Sequence, residues 1–309
     1  MSRLKTIRTH RRLWVTLVGM FVAVVVGLAA WQLGFLGRQA PAQFDGALAY
    51  NEVLRQMDFG PRITGTDGNY AAGNLIVKTL RGRGWQTDFQ PFDYKGVHAR
   101  NIIARANVGR GPVIILGAHY DTRRRADQDP RHLDQPVPGA DDGASGVAVL
   151  LELGRSLDLA RVHNEIWLAF FDAEDNGELD GWDWVVGSTY MAQHLTVKPQ
   201  SMILIDMVGD ADQNIYMDSN SDGQLSAQIW TQAAQLGYLP YFVPVPRYAM
   251  LDDHSPFAQL GIPAVDIIDF DYPYWHTVAD TADKVSPVSL ERVGRTLEAY
   301  LEKPDTGTP

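Results

Sequence analysis

Apolar positions along this chain fall into three kinds of run. The longest is uninterrupted: residues 13–36 carry no formal charge, are rich in Val, Leu, Ala and Gly, and have Trp14 and Trp31 near the two ends. At about 1.5 Å of rise per residue, such a stretch crosses a hydrocarbon layer of about 30 Å, with indoles at the interfaces. A transmembrane helix is predicted over 13–36. The second kind repeats every three or four residues and predicts helices over 46–57, 70–81, 144–157, 188–194, 225–236 and 287–301. The last of these has Ser286 as its N-cap and Pro287 at the first helical position. The third kind is short and continuous, over 113–116, 166–171, 202–205 and 264–268, the mark of strands buried on both faces. Two further strands are predicted over 85–94 and 99–106. Strands alternating with helices predict an α/β fold of three layers: a mostly parallel mixed central sheet with helices on both faces, preceded by one N-terminal transmembrane helix.

Charge divides the chain. Five basic residues lie within the first twelve positions, and such residues stay on the cytoplasmic side of a span. Everything after Arg38 is therefore expected outside the cytoplasm, in a periplasmic or extracellular space. A cleaved signal peptide is the alternative, but its apolar region usually covers only about 7–15 residues. The expected organisation is a basic cytoplasmic segment over 1–12, an anchor over 13–36, a linker over 37–43, a catalytic domain over 44–303 and a flexible tail over 304–309. Beyond Arg38 there are 21 basic and 37 acidic residues, a net of −16. That excludes a nucleic-acid binder, which needs a basic face against phosphates. With no cysteine in 309 residues, disulfides, thiolate metal sites and thiol nucleophiles are excluded as well. Metal or acid–base chemistry here has only His, Asp and Glu to draw on.

Those residues sit where parallel strands end, which is where open α/β sheets bind ligands. After the run at 113–116 come His119 and Asp121; a loop later, Asp141 and Asp142 open a helix; the strand at 166–171 leads to Glu174 and Asp175; 202–205 leads to Asp206; and 264–268 leads through Asp269 and Asp271 to Trp275 and His276. Five loops ending in carboxylate or imidazole predict a cation site, because so many acids gathered at one edge repel unless a cation balances them. Glu174 and Asp175 are adjacent at a strand end and diverge, so one can ligate while the other carries protons. Other motifs are incomplete. Ser145 lacks the glycine two positions after it that a nucleophile elbow requires, and the glycines at 82–84 and 109–111 make no dinucleotide loop. The acidic stretch 218–223 begins like a calcium loop, yet Ile229 stands at its twelfth position, which leaves a polar turn.

These spaced motifs resemble the zinc aminopeptidase family M28, over about residues 50–301. The resemblance implies one zinc held by Asp141, Asp175 and His276, and in peptidase members a second held by His119 and Asp206 with Asp141 bridging; Glu174 falls at the general acid/base position. The stretch Phe170-Phe-Asp-Ala-Glu-Asp175, the Asp252-Asp253-His254 group and Trp275 directly before His276 are more similar to the glutaminyl cyclase branch. That branch implies a single zinc, His119 and Asp206 as hydrogen-bonding residues, Asp253 in a carboxylate network with Asp206 and Glu174, and Trp275 with Trp182 or Trp184 walling a substrate pocket. The implied reaction closes an N-terminal Gln of a peptide or protein to pyroglutamate with release of ammonia. The alternative is a two-metal aminopeptidase. A silent binding module of this fold is disfavoured by the complete residue set, Glu174 included.

Overall fold

The computed structural model describes residues 42–303, so the predicted anchor at 13–36, the basic segment before it and the tail at 304–309 lie outside the described residues. Among the described residues no helix is long and apolar enough to cross a membrane. The sheet is built from β1 (Gln86–Tyr94), β2 (Val97–Ala106), β3 (Val113–His119), β4 (Glu165–Phe171), β5 (Ser201–Asp206) and β8 (Ala264–Ile268), in the order β1-β2-β4-β3-β5-β8. β4, β3, β5 and β8 pair in parallel, and β2 joins β4 antiparallel with β1 as the outer hairpin strand. β6 (Ile215–Asp218) and β7 (Phe242–Tyr248) form a separate parallel pair that periodicity alone did not predict.

Every residue of β3, β4, β5 and β8 is buried, as expected of continuous apolar runs covered on both faces. Alternation along each strand splits the side chains between two cores. Ile114, Leu116, Ile166, Leu168, Ile203 and Ile205 face the larger one, together with α1 (Gly46–Met57), α2 (Asp67–Gly82), α3 (Ala144–Ser156), α5 (Gly223–Gln235) and α7 (Pro287–Leu301). Ile115, Trp167, Phe171, Met202 and Leu204 face the smaller one, against α4 (Val186–Gln193) and α6 (Ser255–Gln259). The three-layer expectation is thus met over the described residues.

Helix ends follow local chemistry. Asp45 caps α1 by accepting from Ala47 and Leu48 N–H, and Asp222 caps α5 by accepting from Leu225 N–H. α2 starts three residues before the predicted 70, because Thr66 caps it through Asn69 N–H. Ser286 precedes α7 as expected, but its side chain makes no capping bond; its N–H donates to the carbonyl of Gly209.

α3 bears most directly on the sheet edge, since it begins straight after the loop bearing Asp141 and Asp142. Gly146 lets its first turn lie on β5: a Cβ there would sit 2.1 Å from the Ile205 carbonyl oxygen and 3.1 Å from Ala118 Cβ. Gly146→Ala is expected to push α3 off the sheet and destabilise the fold by about 1–3 kcal/mol, against the usual gain of alanine in a helix. Denaturant unfolding checks this; an unchanged or raised midpoint contradicts it.

Candidate active site

The carboxyl ends of β3, β4, β5 and β8 share one edge of the sheet, and the acids and histidines of the five loops meet there. Three residues in the loops that follow those strands lie at positive φ although none is glycine: Ala173 (60°), Met207 (45°) and His276 (54°). Such backbone is held only where surrounding contacts over-determine it, and it concentrates at functional sites. Here it turns the chain abruptly, so that Glu174, Asp206 and the His276 ring face a common space.

Two overlapping groups emerge. In the first, His276 Nε2 lies 2.9 Å from Asp175 Oδ1 and 3.6 Å from Asp142 Oδ2. In the second, His119 Nε2 lies 3.1 Å from both Asp142 Oδ1 and Asp206 Oδ1. In each group three ligand atoms fall within 4.8 Å of one another, and Asp142 belongs to both. Asp142 Oδ2, Asp175 Oδ2 and His276 Nδ1 are buried without hydrogen-bond partners among the described residues. Neutral imidazole with carboxylate oxygens is a donor set that zinc accepts, so the residues present fit such an ion.

The residue common to the two groups is Asp142, a correction to the expectation that Asp141 takes this place. Asp141 turns away: its Oδ1 accepts from Gly209 N–H at 2.6 Å. Asp280 fixes this choice by accepting from the N–H groups of both Asp141 (2.8 Å) and Asp142 (3.2 Å). Gly143 then passes so close to His119 that a Cβ would lie 2.5 Å from the His119 carbonyl oxygen. Asp121 also stands behind the groups: its two oxygens accept from the N–H of Glu174 (3.1 Å) and Asp175 (3.3 Å), which fixes their divergence. Ser145, excluded as a nucleophile by its sequence context, accepts from Val208 N–H and donates to the Asp141 carbonyl.

A cavity of about 130 Å³ opens over these residues. It is lined by the polar groups of Asp142, Glu174, Asp175, Asp206, Asp252 and His276 together with the apolar side chains of Met207, Ile268, Phe270, Trp184 and Trp275. An apolar cavity of about 150 Å³ holds one benzene, so this one takes a single side chain. The His276 ring stacks on Trp275 (centroids 3.8 Å apart) and lies parallel to Trp184 at 5.9 Å.

Of the two candidate tryptophans, Trp182 packs with Phe92, Ala173 and Val186, edge-on to Tyr94, and Trp184 is the one that lines the pocket. Asp253 is fully buried, within reach of the charges of Asp206 and Glu174, and its neighbour Asp252 is the one that lines the cavity. Residue periodicity gives no sign of Arg62 and Arg123, the largest fully buried side chains among the described residues. Arg62 donates to the carbonyls of Tyr120, Pro138 and Gly139, tying the loop after β3 to the loop before α3. A buried arginine amid aspartates was the one available signal, and only the fold makes the burial visible.

Burial dominates the electrostatics. It pushes the carboxyl of Asp175 up to about 6 and those of Asp253 and Asp280 up to about 7, helped by neighbouring carboxylates. Burial likewise raises Glu174 well above its usual range, against the pull of His119 and with the push of Asp175, Asp252 and Asp253. For His119 burial works downward, but Asp206, Asp121 and Asp142 hold it well above its ordinary value.

The profile of Peptidase family M28 matches residues 101–301. A mouse glutaminyl-peptide cyclotransferase-like protein is 26% identical over 279 residues, covering 78% of this chain and 71% of its own. The Porphyromonas gingivalis glutaminyl cyclase structure superposes with a TM-score of 0.79 at 36% identity, covering 84% of this chain and 98% of that one. A structure described as a leucine aminopeptidase precursor from Bacteroides thetaiotaomicron superposes with a TM-score of 0.80 at 32% identity, covering 85% and 98%.

The shifts fix a pH dependence for the metal-free protein. Carboxyls with raised folded-state values give their full stability below the unfolded value near 4, and lose it as pH climbs to their folded values of about 6 and 7. His119, raised in the fold, is fully favourable below its ordinary 6.5 and loses that contribution as pH rises through its folded value. Both push the same way. Calorimetry of metal-free protein is expected to show Tm falling from pH 5 to pH 8, by about 2–4 °C for each kcal/mol lost, and zinc restoring more at pH 8 than at pH 5. A flat or rising metal-free profile contradicts the crowded-carboxylate picture.

Proposed function

The chain belongs to peptidase family M28, and from that premise we propose that it is a zinc-dependent glutaminyl-peptide cyclotransferase, closing N-terminal Gln to pyroglutamate. The observation that carries this reading is the position of the cavity. Its volume suits one side chain, and its lining brings Trp184, Trp275 and Phe270 together with Asp142, Asp175 and His276, so a side chain held against the rings lies beside the ligand group. The identity of 36% to the Porphyromonas gingivalis glutaminyl cyclase supports the same choice.

Zinc held by Asp142, Asp175 and His276 would supply Lewis acidity toward the γ-amide oxygen. The chain's own groups do the rest. Trp275, Trp184 and Phe270 hold the methylene stem and keep water out. Confinement brings the α-amine onto the carbonyl carbon of the carboxamide, Cδ, so that a C–N bond forms there as the bond from Cδ to the amide nitrogen breaks. Glu174 lines the same cavity; its carboxylate takes a proton from the attacking amine and returns it to the departing nitrogen, which leaves as ammonia. Burial, with the neighbouring carboxylates of Asp175, Asp252 and Asp253, keeps the affinity of Glu174 for a proton high, and Asp206 in turn raises Asp252. The apolar run at 13–36 and the basic positions before it support an enzyme anchored in a membrane by one helix, with the domain over 44–303 outside the cytoplasm.

One observation favours a second reading. His119, Asp142 and Asp206 form another ligand group sharing Asp142 with the first, the arrangement a two-zinc aminopeptidase would use, with Glu174 as base for a water. The two readings separate by product. With zinc-loaded protein, Gln-initiated peptides are expected to yield ammonia and a blocked N-terminus, and Leu-initiated peptides are expected to stay intact; release of free leucine without ring closure overturns the cyclase in favour of the peptidase. Metal analysis adds one zinc per chain for the cyclase and two for the peptidase. Glu174→Gln is expected to keep its zinc and lose turnover by about 10²–10⁴-fold. Undiminished turnover would place the proton carrier elsewhere.

A further inference from the structure

Arg123 is buried to 2% exposure, yet it is no ordinary surface ion-pair partner drawn inward. Its Nε and Nη2 donate to the two oxygens of Asp127 at 2.6 and 2.8 Å, a bidentate clamp. Its Nη1 donates to the carbonyls of Asp175 (2.8 Å) and Gly177 (3.3 Å), and its face lies over the Trp184 ring at 4.7 Å. One guanidinium therefore joins the backbone of a ligand residue, a pocket wall and a carboxylate. That carboxylate faces the site: Asp127 Oδ1 stands 3.6 Å from His276 Nδ1, the ring nitrogen turned away from Asp175 and Asp142. The same segment holds His276 through its backbone, since Gln128 N–H donates to the His276 carbonyl at 3.3 Å and Val278 N–H donates to Asp129 Oδ2 at 3.2 Å.

A histidine ligates through one nitrogen only when the other carries the proton, and a carboxylate on that other nitrogen fixes the tautomer, sets the ring plane and raises ligand basicity. His276 Nδ1 is buried and has no hydrogen-bond partner among the described residues, and the carboxylate oxygen nearest to it there is Asp127 Oδ1 at 3.6 Å. We infer that Asp127, clamped by Arg123, is the positioning residue that commits His276 to present Nε2 toward the metal. This rests on the proposed role of His276 as a zinc ligand. It makes Arg123 the joint between ligation and substrate fit, because Trp184 and Asp127 are held by the same group. Neither Arg123 nor Asp127 touches the reacting atoms.

Zinc affinity of the full chain, measured by competition with a chromogenic chelator, tests the inference without reference to turnover. Asp127→Ala is expected to weaken zinc binding by about 10–100-fold, the usual cost of losing a partner behind a ligating histidine. Asp127→Asn, which keeps an acceptor for Arg123, is expected to fall between, and it carries the test if melting of the metal-free proteins shows the alanine variant unfolded. In a His276→Asn background, Asp127→Ala is expected to cost nothing further, an interdependence that a general structural role would not produce. Affinity within twofold of wild type in both Asp127 variants, or an equal loss with and without His276, overturns the inference. An unchanged affinity in His276→Asn alone overturns the ligand assignment itself, and the two failures are read from different variants.

Discussion

The structure is governed by the cost of burying many carboxylates at one edge of a sheet. Asp121, Asp141, Asp142, Asp175, Asp253 and Asp280 are each at most 3% exposed, and Glu174, Asp206 and Asp252 are only slightly more open. An ionised carboxylate in such surroundings is tolerable only if it is hydrogen-bonded, protonated or balanced by positive charge. Each solution is in use here. Asp121 and Asp280 are satisfied by backbone N–H groups, and in doing so they shape the loops that carry Glu174, Asp175, Asp141 and Asp142. Arg62 and Arg123 bring fixed positive charge into the interior, and burial lowers Arg62 to about 10 despite the surrounding aspartates. Among the carboxylate oxygens those devices leave over are Asp142 Oδ2 and Asp175 Oδ2, which lie in the groups shared with His119 and His276, and a divalent cation is the partner that suits them there.

That division explains which parts of the site could be read from the chain. The edge itself was legible: apolar runs long enough for one buried strand each, followed at once by His119, Glu174, Asp175 and Asp206, locate the site because chain direction and strand ends suffice for that. What adjacency conceals is which member of a pair faces inward. Asp141 and Asp142 are chemically identical neighbours, and the choice between them is made by Asp280, more than a hundred residues away, whose carboxylate grips both their N–H groups. Asp252 and Asp253 repeat the problem, and Trp182 and Trp184 pose it over two positions. At Trp184 the outcome depends on a guanidinium that also serves Asp127. Register at the level of one residue is set by long-range contacts, and no local pattern carries it. The β6/β7 pair escaped for another reason: Pro244 and Pro246 interrupt the second strand, so its apolar alternation is broken.

Rigidity around the pocket follows from the same contacts. The backbone at Ala173, Met207 and His276 occupies a region that side-chain-bearing residues avoid, and each of the three is buried or next to a buried ligand residue. Val185, a β-branched residue at φ 54°, joins them, and its N–H donates to the Glu174 carbonyl. Strain of about 1–3 kcal/mol per residue is sustained where the surroundings leave no alternative. The result is a set of carboxylates whose directions are fixed before any ligand arrives, which is the condition for electrostatic preorganisation.

The same scaffold can serve hydrolysis or cyclisation, and the difference lies in what the apolar walls deliver to the ligand group. A peptidase must bring a main-chain carbonyl to its metal, so its side-chain pocket lies beside the ligands. Here Trp275 stacks directly on His276 and Trp184 lies parallel beyond it, so the apolar walls and the ligand group share one cavity of about 130 Å³. A γ-carboxamide side chain that enters it has the rings of Trp184 and Trp275, the carboxyl of Glu174 and the group of Asp142, Asp175 and His276 in one lining. The apolar surface that would hold the stem and the polar groups that would act on its end are therefore not separate sites, and the stacking of Trp275 on His276 ties the position of one to the other.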